Sequence, residues 1–304
     1  MLSRHAIAAA GLAALLIPSA GCGDFSIGYG TEVVATQQQP GTVPLPTKAG
    51  TYKFAVLGDF GTGSREQYEL GRQMASVHAR FKFEHVILVG DNLYGSERPQ
   101  DFKKKFEEPY KALLDAGVKF YASLGNHDAR EQRYYKPFNM DGKLYYSFNP
   151  NPEVRFFALE STYPEPEQMK WFEDELKKST SKWKIPFFHH PLYSSGERHG
   201  SDIQLRRTIE PMLLANNVSV VFTGHDHFYE RTKPQNGITY FVVGSGGKLR
   251  QGNIDTGSGI TARGLDTDLA FLVAEIDGDQ LTFNTISRTG AVVDSAVITR
   301  QPTK

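Results

Sequence analysis

Apolar residues in this chain fall into short blocks and helically spaced stripes, and through most of its length the two alternate. Lys53–Leu57 is an apolar block of strand type, after which Leu70, Met74, Val77 and Phe81 recur at helical spacing within Arg65–Phe81. His85–Val89 repeats the strand, and Asp101–Leu114 predicts an amphipathic helix. Val118–Leu124 predicts a third strand, and the aromatic-rich stretch Leu144–Leu159 a hairpin turned through Asn149-Pro-Asn-Pro152. Helix Glu165–Lys178, with proline in its first turn, strand Lys184–Phe188, helix Asp202–Ala215 and strand Val218–Phe222 continue the alternation. From Gly237 only strands follow: Ile238–Val243, Leu269–Ile276, Gln280–Ser287 and Val292–Thr299, joined by Gly-rich or Asp-Gly turns such as Asp277-Gly278. Strand–helix alternation with a β-rich tail predicts an α/β fold in which two sheets pack together with helices outside.

The N-terminus follows another pattern. Arg4 precedes an apolar run, Ala6–Ile17, that is too short to span a bilayer as an ordinary helix, and Pro18 and small residues come next. Residues 1–21 therefore read as a signal peptide. Cys22 is the only cysteine, which excludes an internal disulfide, and Ser19-Ala-Gly-Cys22 resembles a bacterial lipobox with Ser19 in place of the usual aliphatic residue. That resemblance implies an exported lipoprotein on the periplasmic or cell-surface side; an ordinary secretory signal is the plainer alternative. Residues 22–50 carry Gly, Thr, Gln and Pro without periodicity and read as a tether, leaving 51–300 as the folded domain. Lys+Arg and Asp+Glu balance at 34 each, so no net field recruits nucleic acid, and membrane contact is expected only through a lipid anchor at Cys22. A monomer is expected.

Candidate chemistry gathers where strands end. Gly58-Asp59-Phe60-Gly61, Gly90-Asp91-Asn92-Leu93-Tyr94, Gly125-Asn126-His127-Asp128, His189-His190-Pro191 and Gly224-His225-Asp226-His227 each follow an apolar strand. In α/β sheets the C-terminal strand edge is where sites form. Asp59 alone would read as a loop or capping residue, but three strands ending Gly-Asp, Gly-Asp and Gly-Asn make a pattern, since glycine lets the backbone turn tightly and present a short side chain. His225 and His227, two apart on a Gly-initiated loop, can reach different points, as two adjacent metal ions would require. Carboxylate and amide oxygens with imidazoles suit zinc, manganese or iron and exclude a thiolate cluster.

In this order the blocks resemble the calcineurin-like metallophosphoesterases, from Tyr52 to Arg300. Many of that family carry a histidine where this chain has Gly61; Tyr94 instead completes Gly-Asp-x-x-Tyr, and with it the chain resembles the purple acid phosphatases, the tartrate-resistant type included. The resemblance implies a four-layer αββα sandwich of two mixed β-sheets flanked by helices, with 51–300 as the catalytic domain. It implies Asp59, Tyr94 and His227 on Fe(III), Asp91 bridging, and Asn126, His189 and His225 on a divalent ion (Zn, Fe or Mn). Outside that family Tyr94 is an ordinary loop aromatic. The family's His-x-Pro assigns His189 as ligand and His190 to the wall, with His190 as the alternative.

By the same resemblance His127 and His199 orient the phosphate and protonate the departing alkoxide, while Asp128 holds His127; His199 is otherwise a surface histidine. Arg198 and Arg231 either touch phosphate or are solvated loop charges. The implied activity is that of an acid phosphatase acting on phosphorylated small molecules or phosphopeptides. A phosphodiesterase or a Zn/Mn-dependent alkaline-range phosphatase on the same scaffold is the nearest rival. A non-catalytic surface binding protein and a redox iron site are the remaining ones.

Overall fold

The computed structural model describes Lys48 and residues 50–300. The expected signal peptide, Cys22 and all of the expected tether except Lys48 and Gly50 lie outside the described residues. Among the described residues no helix is long and apolar enough to cross a membrane.

In chain order the elements are β1 (Tyr52–Leu57), α1 (Arg65–Phe81), β2 (His85–Val89), α2 (Pro99–Phe102), α3 (Lys111–Asp115), β3 (Lys119–Ser123), β4 (Tyr146–Asn151) and β5 (Val154–Ala158). Next come α4 (Pro166–Lys178), β6 (Trp183–Phe187), α5 (Ile203–Ala215), β7 (Val220–Thr223), β8 (Tyr229–Thr232) and β9 (Thr239–Val243). The chain closes with β10 (Thr261–Leu265), β11 (Ala270–Asp277), β12 (Gln280–Ser287) and β13 (Val292–Thr299). One sheet runs β13-β12-β11-β1-β2-β3 and the other β10-β8-β9-β7-β6-β5-β4. Both are mixed: β1-β2-β3 are parallel beside antiparallel β11, and β5-β6-β7-β9 are parallel beside antiparallel β4 and β8.

Alternation along each strand decides the layers. In β7, Val220 and Phe222 enter the core between the sheets while Val221 faces the other way, and in β9 Phe241 and Tyr240 divide likewise. Across the inter-sheet core Phe54 meets Phe156 and Phe222 edge-on at ring distances of 5.2 and 5.9 Å. The outward set, Phe157, Val221 and Tyr240, packs with Phe172, Leu176, Leu205, Ile209 and Leu213 of α4 and α5. On the first sheet α1 buries Leu70, Met74, Val77 and Phe81, the stripe read from the sequence. Each such fully buried side chain contributes about 1.5–3 kcal/mol. The αββα sandwich is therefore the fold.

Three local expectations are corrected. Asp101–Leu114 is not one helix: α2 passes into a wide π turn over Lys103–Glu107, and α3 begins only at Lys111. Pro109 is the cause, because it has no N–H and its ring opposes the carbonyl four residues back. That carbonyl, Lys105 O, instead accepts from Gln67 Nε2 of α1 at 2.6 Å. The hairpin turn falls after Asn151, whose Oδ1 accepts the N–H groups of Glu153 and Val154 at 2.9 and 3.0 Å, so β4 runs on through Asn149 and Pro150. Two short strands, β8 and β10, are absent from the sequence reading altogether.

His85, far from the strand-end motifs, carries a prediction about acid stability. It is buried at the start of β2, with Nδ1 3.0 Å from Tyr52 OH and its ring near Tyr121 and Phe148. Burial, then the charge of Lys119, lowers its pKa from 6.5 to about 4. Between those values the unfolded chain binds the proton and the folded one does not, so stability present above pH 6.5 drains away as pH falls toward 4. Urea midpoints at pH 7 and 4.5 should show wild type losing up to about 3 kcal/mol more than His85→Asn. Equal losses would place the acid-labile group elsewhere.

Candidate metal centre

Parallel strands β1, β2 and β3 of one sheet and β6 and β7 of the other end at a common site. Three turns there adopt left-handed backbone at non-glycine residues: Asp59 (φ 54°), Asp91 (φ 48°) and His225 (φ 73°). Such conformations persist only where surrounding contacts enforce them. Asp59 N–H donates to Gly90 O at 3.0 Å, Phe60 N–H to Asp91 O at 3.2 Å, and His225 N–H to Asp59 Oδ2 at 3.0 Å. Gly125 and Gly224 leave the room this needs, since a Cβ on either would lie 2.2 Å from Asp91 Oδ1 or 2.4 Å from Asp59 Oδ2.

Two groups of donor atoms result. Tyr94 OH stands 3.1 Å from both Asp59 Oδ1 and His227 Nε2. His189 Nε2 stands 3.1 Å from Asn126 Oδ1, 3.1 Å from His225 Nδ1 and 3.4 Å from Asp91 Oδ1. One ligand atom each from Asp59, Asp91 and His189 lie within 4.8 Å of one another. The seven expected ligands are thus brought together. His190 is turned aside, with Nδ1 2.9 Å from Ser161 Oγ and its ring 4.4 Å from that of His225.

The electrostatics of this cluster fit a cation. His189 Nδ1 faces Val89 O at 3.0 Å, a carbonyl that only accepts, so its proton sits there and Nε2 presents a lone pair. Burial, then the neighbouring His190, pushes the His189 pKa well below its ordinary value, so a second proton does not bridge Nε2 to the Asp91 and Asn126 oxygens. Asp59 is fully buried, and burial followed by repulsion from Asp91 raises its pKa. Burial and the two aspartates likewise hold the Tyr94 phenol in its protonated form far above its usual range. Acceptors facing acceptors, with buried like charges beside them, are costly unless a positive ion lies between. A hard, highly charged ion would also reverse the phenol's preference.

Gly61 and Tyr94 are physically linked. A Cβ at Gly61 would lie 1.9 Å from Asn92 O, and Tyr94 N–H donates to Gly61 O at 2.9 Å. The missing side chain at 61 lets the 91–94 loop descend until Tyr94 reaches Asp59.

Around the donors, His127 and His199 are both exposed. The His127 N–H holds Asp91 Oδ1 at 3.0 Å and its ring lies 5.0 Å from that of Tyr94; the His199 ring lies 4.3 Å from His225. The loop bearing His199 is strapped down by Asp226, whose Oδ2 accepts from Ser194 Oγ at 2.5 Å and Gly200 N–H at 3.1 Å, and by Glu230, which accepts from Ser195 N–H at 2.9 Å.

Two expected roles change. The Asp128 carboxylate does not touch the His127 ring; it accepts the N–H groups of Asn92, Leu93 and Gly125 at 2.9–3.0 Å and so braces the turn carrying Asp91 and Tyr94. Arg231 is bound to Asp294 through Nε and Nη2 at 2.7 and 3.0 Å, which commits it to the sheet rather than to phosphate. Sequence reasoning also overlooked Gly244–Arg250. This loop leaves β9, whose parallel pairing with β7 brings its end to the same edge. Gly246 N–H donates to Gly58 O, Lys248 N–H to Asp59 O and Arg250 N–H to His227 O at 2.9–3.1 Å, setting two cationic side chains at the rim. The available signal was a glycine-rich loop following an apolar strand.

Residues 52–229 match the model of the calcineurin-like phosphoesterases, and the chain belongs to that family. It is similar to purple acid phosphatase 3 of Arabidopsis thaliana, 28% identical over 245 residues that cover 68% of this chain and 66% of that protein. Among solved structures its fold is shared with GAP50, the anchor in the inner membrane complex of Plasmodium, at TM-score 0.70 and 19% identity over 84% of this chain and 90% of that one. It is shared too with a purple acid phosphatase from yellow lupin (Lupinus luteus) seeds, at TM-score 0.64 and 19% identity over 84% and 55%. Fold alone thus accompanies both an anchor and a phosphatase, and function has to be argued from the site.

Proposed function

We propose that this chain hydrolyses phosphate monoesters at a centre of Fe(III) and a divalent zinc, iron or manganese ion. One observation carries the reading: seven oxygen and nitrogen ligand atoms from five strand ends meet, and at His189 Nε2 a lone pair faces the Asn126 and Asp91 oxygens, acceptor against acceptor. Asp59, Tyr94 and His227 would hold the ferric ion, Asn126, His189 and His225 the divalent one, and Asp91 would serve both. When bound, such a pair supplies Lewis acidity toward phosphoryl oxygens and an activated water.

The chain's own residues do the rest. His127 and His199 present exposed imidazoles beside the donors, placed to orient a phosphate and to give a proton to the departing alkoxide oxygen. Asp226 and Glu230 fix the loop on which His199 rides. Asp128 fixes the turn from which Asp91 and Tyr94 project. Phosphorylated small molecules or phosphopeptides as substrates, a monomeric state and export with a lipid anchor at Cys22 belong to the same proposal.

Metal analysis with a visible spectrum tests it. Oxidised protein is expected to contain iron and a second metal and to show a tyrosinate-to-iron band, and Tyr94→Phe should reduce that band to baseline. A colourless, iron-free preparation that hydrolyses 4-nitrophenyl phosphate would overturn the ferric assignment in favour of a Zn- or Mn-dependent enzyme. Faster hydrolysis of the bis(4-nitrophenyl) ester across pH would favour a diesterase.

A further inference from the structure

We propose that Lys248 and Arg250 form an anion subsite beside the metal centre that selects phosphate esters whose leaving group carries a second negative charge. The inference rests on the phosphatase reading for what occupies the remainder of the site.

The Gly244–Arg250 loop is stitched by its backbone to the carbonyls of Gly58, Asp59 and His227, so the two side chains have fixed roots next to two of the ligands. Lys248 Nζ stands 4.1 Å from the centroid of the Tyr94 ring, over its face. The phenol oxygen, where Asp59 and His227 converge, is at the ring's far edge from the backbone, so the ammonium is set back from the donor atoms. Among the described residues neither Lys248 nor Arg250 has a carboxylate within ion-pair distance, whereas Arg155, Arg231 and Arg288 each do. Arg250 Nη1, which is shielded from solvent, meets no acceptor among the described residues. Arg250 is only half-buried, and a guanidinium without a counter-ion draws an anion to its accessible face.

Arg198 adds to the excess of charge: burial, then repulsion from Arg198, holds the Arg250 pKa below its ordinary value against the weaker opposing pull of Asp226 and Tyr94. In a chain whose charges balance at 34 each, this clustering is local, at the mouth of a site already furnished with donors for a phosphoryl group. Cations set back from that point recognise the part of the substrate that leaves, and a carboxylate or second phosphate there supplies the counter-ion that neither has within ion-pair distance.

The experiment compares phenyl phosphate with 4-carboxyphenyl phosphate, which differ by one remote charge. Wild type is expected to favour the carboxylated ester by about tenfold in kcat/KM, through KM, with the preference shrinking as salt rises. The double variant Lys248→Gln/Arg250→Gln should lose that preference, and the charge-conserving pair Lys248→Arg/Arg250→Lys should keep it. Among the described residues neither side chain makes a hydrogen bond, so the backbone contacts of the loop survive substitution. Equal preference in wild type and double variant, or an equal loss on both esters, overturns the subsite. Binding of phenylphosphonate and 4-carboxyphenylphosphonate to the purified protein separates the two proposals. If no ester is turned over but wild type alone binds the carboxylated phosphonate more tightly, the phosphatase reading falls and the subsite stands. Equal binding in wild type and variant removes the subsite as well.

Discussion

Asp91→Asn should lower kcat/KM toward 4-nitrophenyl phosphate by roughly 10³-fold or more while leaving the fold intact. The asparagine has the same shape, and its Oδ1 still accepts the His127 N–H that Asp91 holds at 3.0 Å. What disappears is one negative charge facing His189 Nε2 at 3.4 Å and facing Asp59 across the site. Losing a shared ligand charge removes several kcal/mol of charge stabilisation, and each 1.36 kcal/mol is a factor of ten in rate. A ligand role and a merely structural one predict opposite thermal behaviour. Asp91 is among the causes raising the Asp59 pKa, so in metal-free protein the variant should melt at or above the wild-type temperature. In metal-loaded protein it should melt below it, with less than two ions per chain. Undiminished activity with a full metal complement would remove Asp91 from the centre.

The legibility of this site came from its position. Each ligand-bearing loop follows a strongly apolar strand that runs out into glycine or, before His189, into Phe188, so neighbouring residues in sequence announce the element and in four of the five cases its end. Asp128 was legible as a residue but not as a role: its carboxylate collects N–H groups from Asn92 and Leu93, some 35 positions away, and no local pattern encodes that pairing. Lys248 and Arg250 escaped for the same reason, because only the parallel pairing of β9 with β7 puts their loop at the active edge. β8 and β10 escaped because Tyr-Glu-Arg-Thr and Thr-Ala-Arg-Gly-Leu alternate too weakly and too briefly, β10 being an edge strand with little to bury. Pro109 is different. It stood in plain sight inside the supposed helix, and its chemistry already argued against an unbroken Asp101–Leu114.

Gly61→Ala should destabilise the protein by about 3 kcal/mol or more and bleach the tyrosinate band together. A methyl group there would stand 1.9 Å from Asn92 O and 2.7 Å from Leu93 Cα, both backbone atoms. Backbone can yield only if what lies behind it yields, and here it is held from the other side. The Asn92 and Leu93 N–H groups are bound to Asp128 at 3.0 Å each, and Asn92 Nδ2 to Ser123 O at 2.9 Å. Overpacking against so fixed a wall falls at or beyond the upper end of the usual cost. In a domain of this size that is a fall in Tm of roughly 10 °C. The same displacement lifts Tyr94 from Asp59, because Tyr94 N–H takes its register from Gly61 O. Gly63→Ala is the control: its φ of +69° is strained for alanine, yet the nearest atoms are side-chain carbons of Lys104 at 3.1 and 3.3 Å that can swing away. That variant should lose about 1 kcal/mol and keep its colour. If Gly61→Ala kept both its melting temperature and its spectrum, the turn would be able to shift as a unit, and a bare residue at 61 would not be what seats the tyrosine.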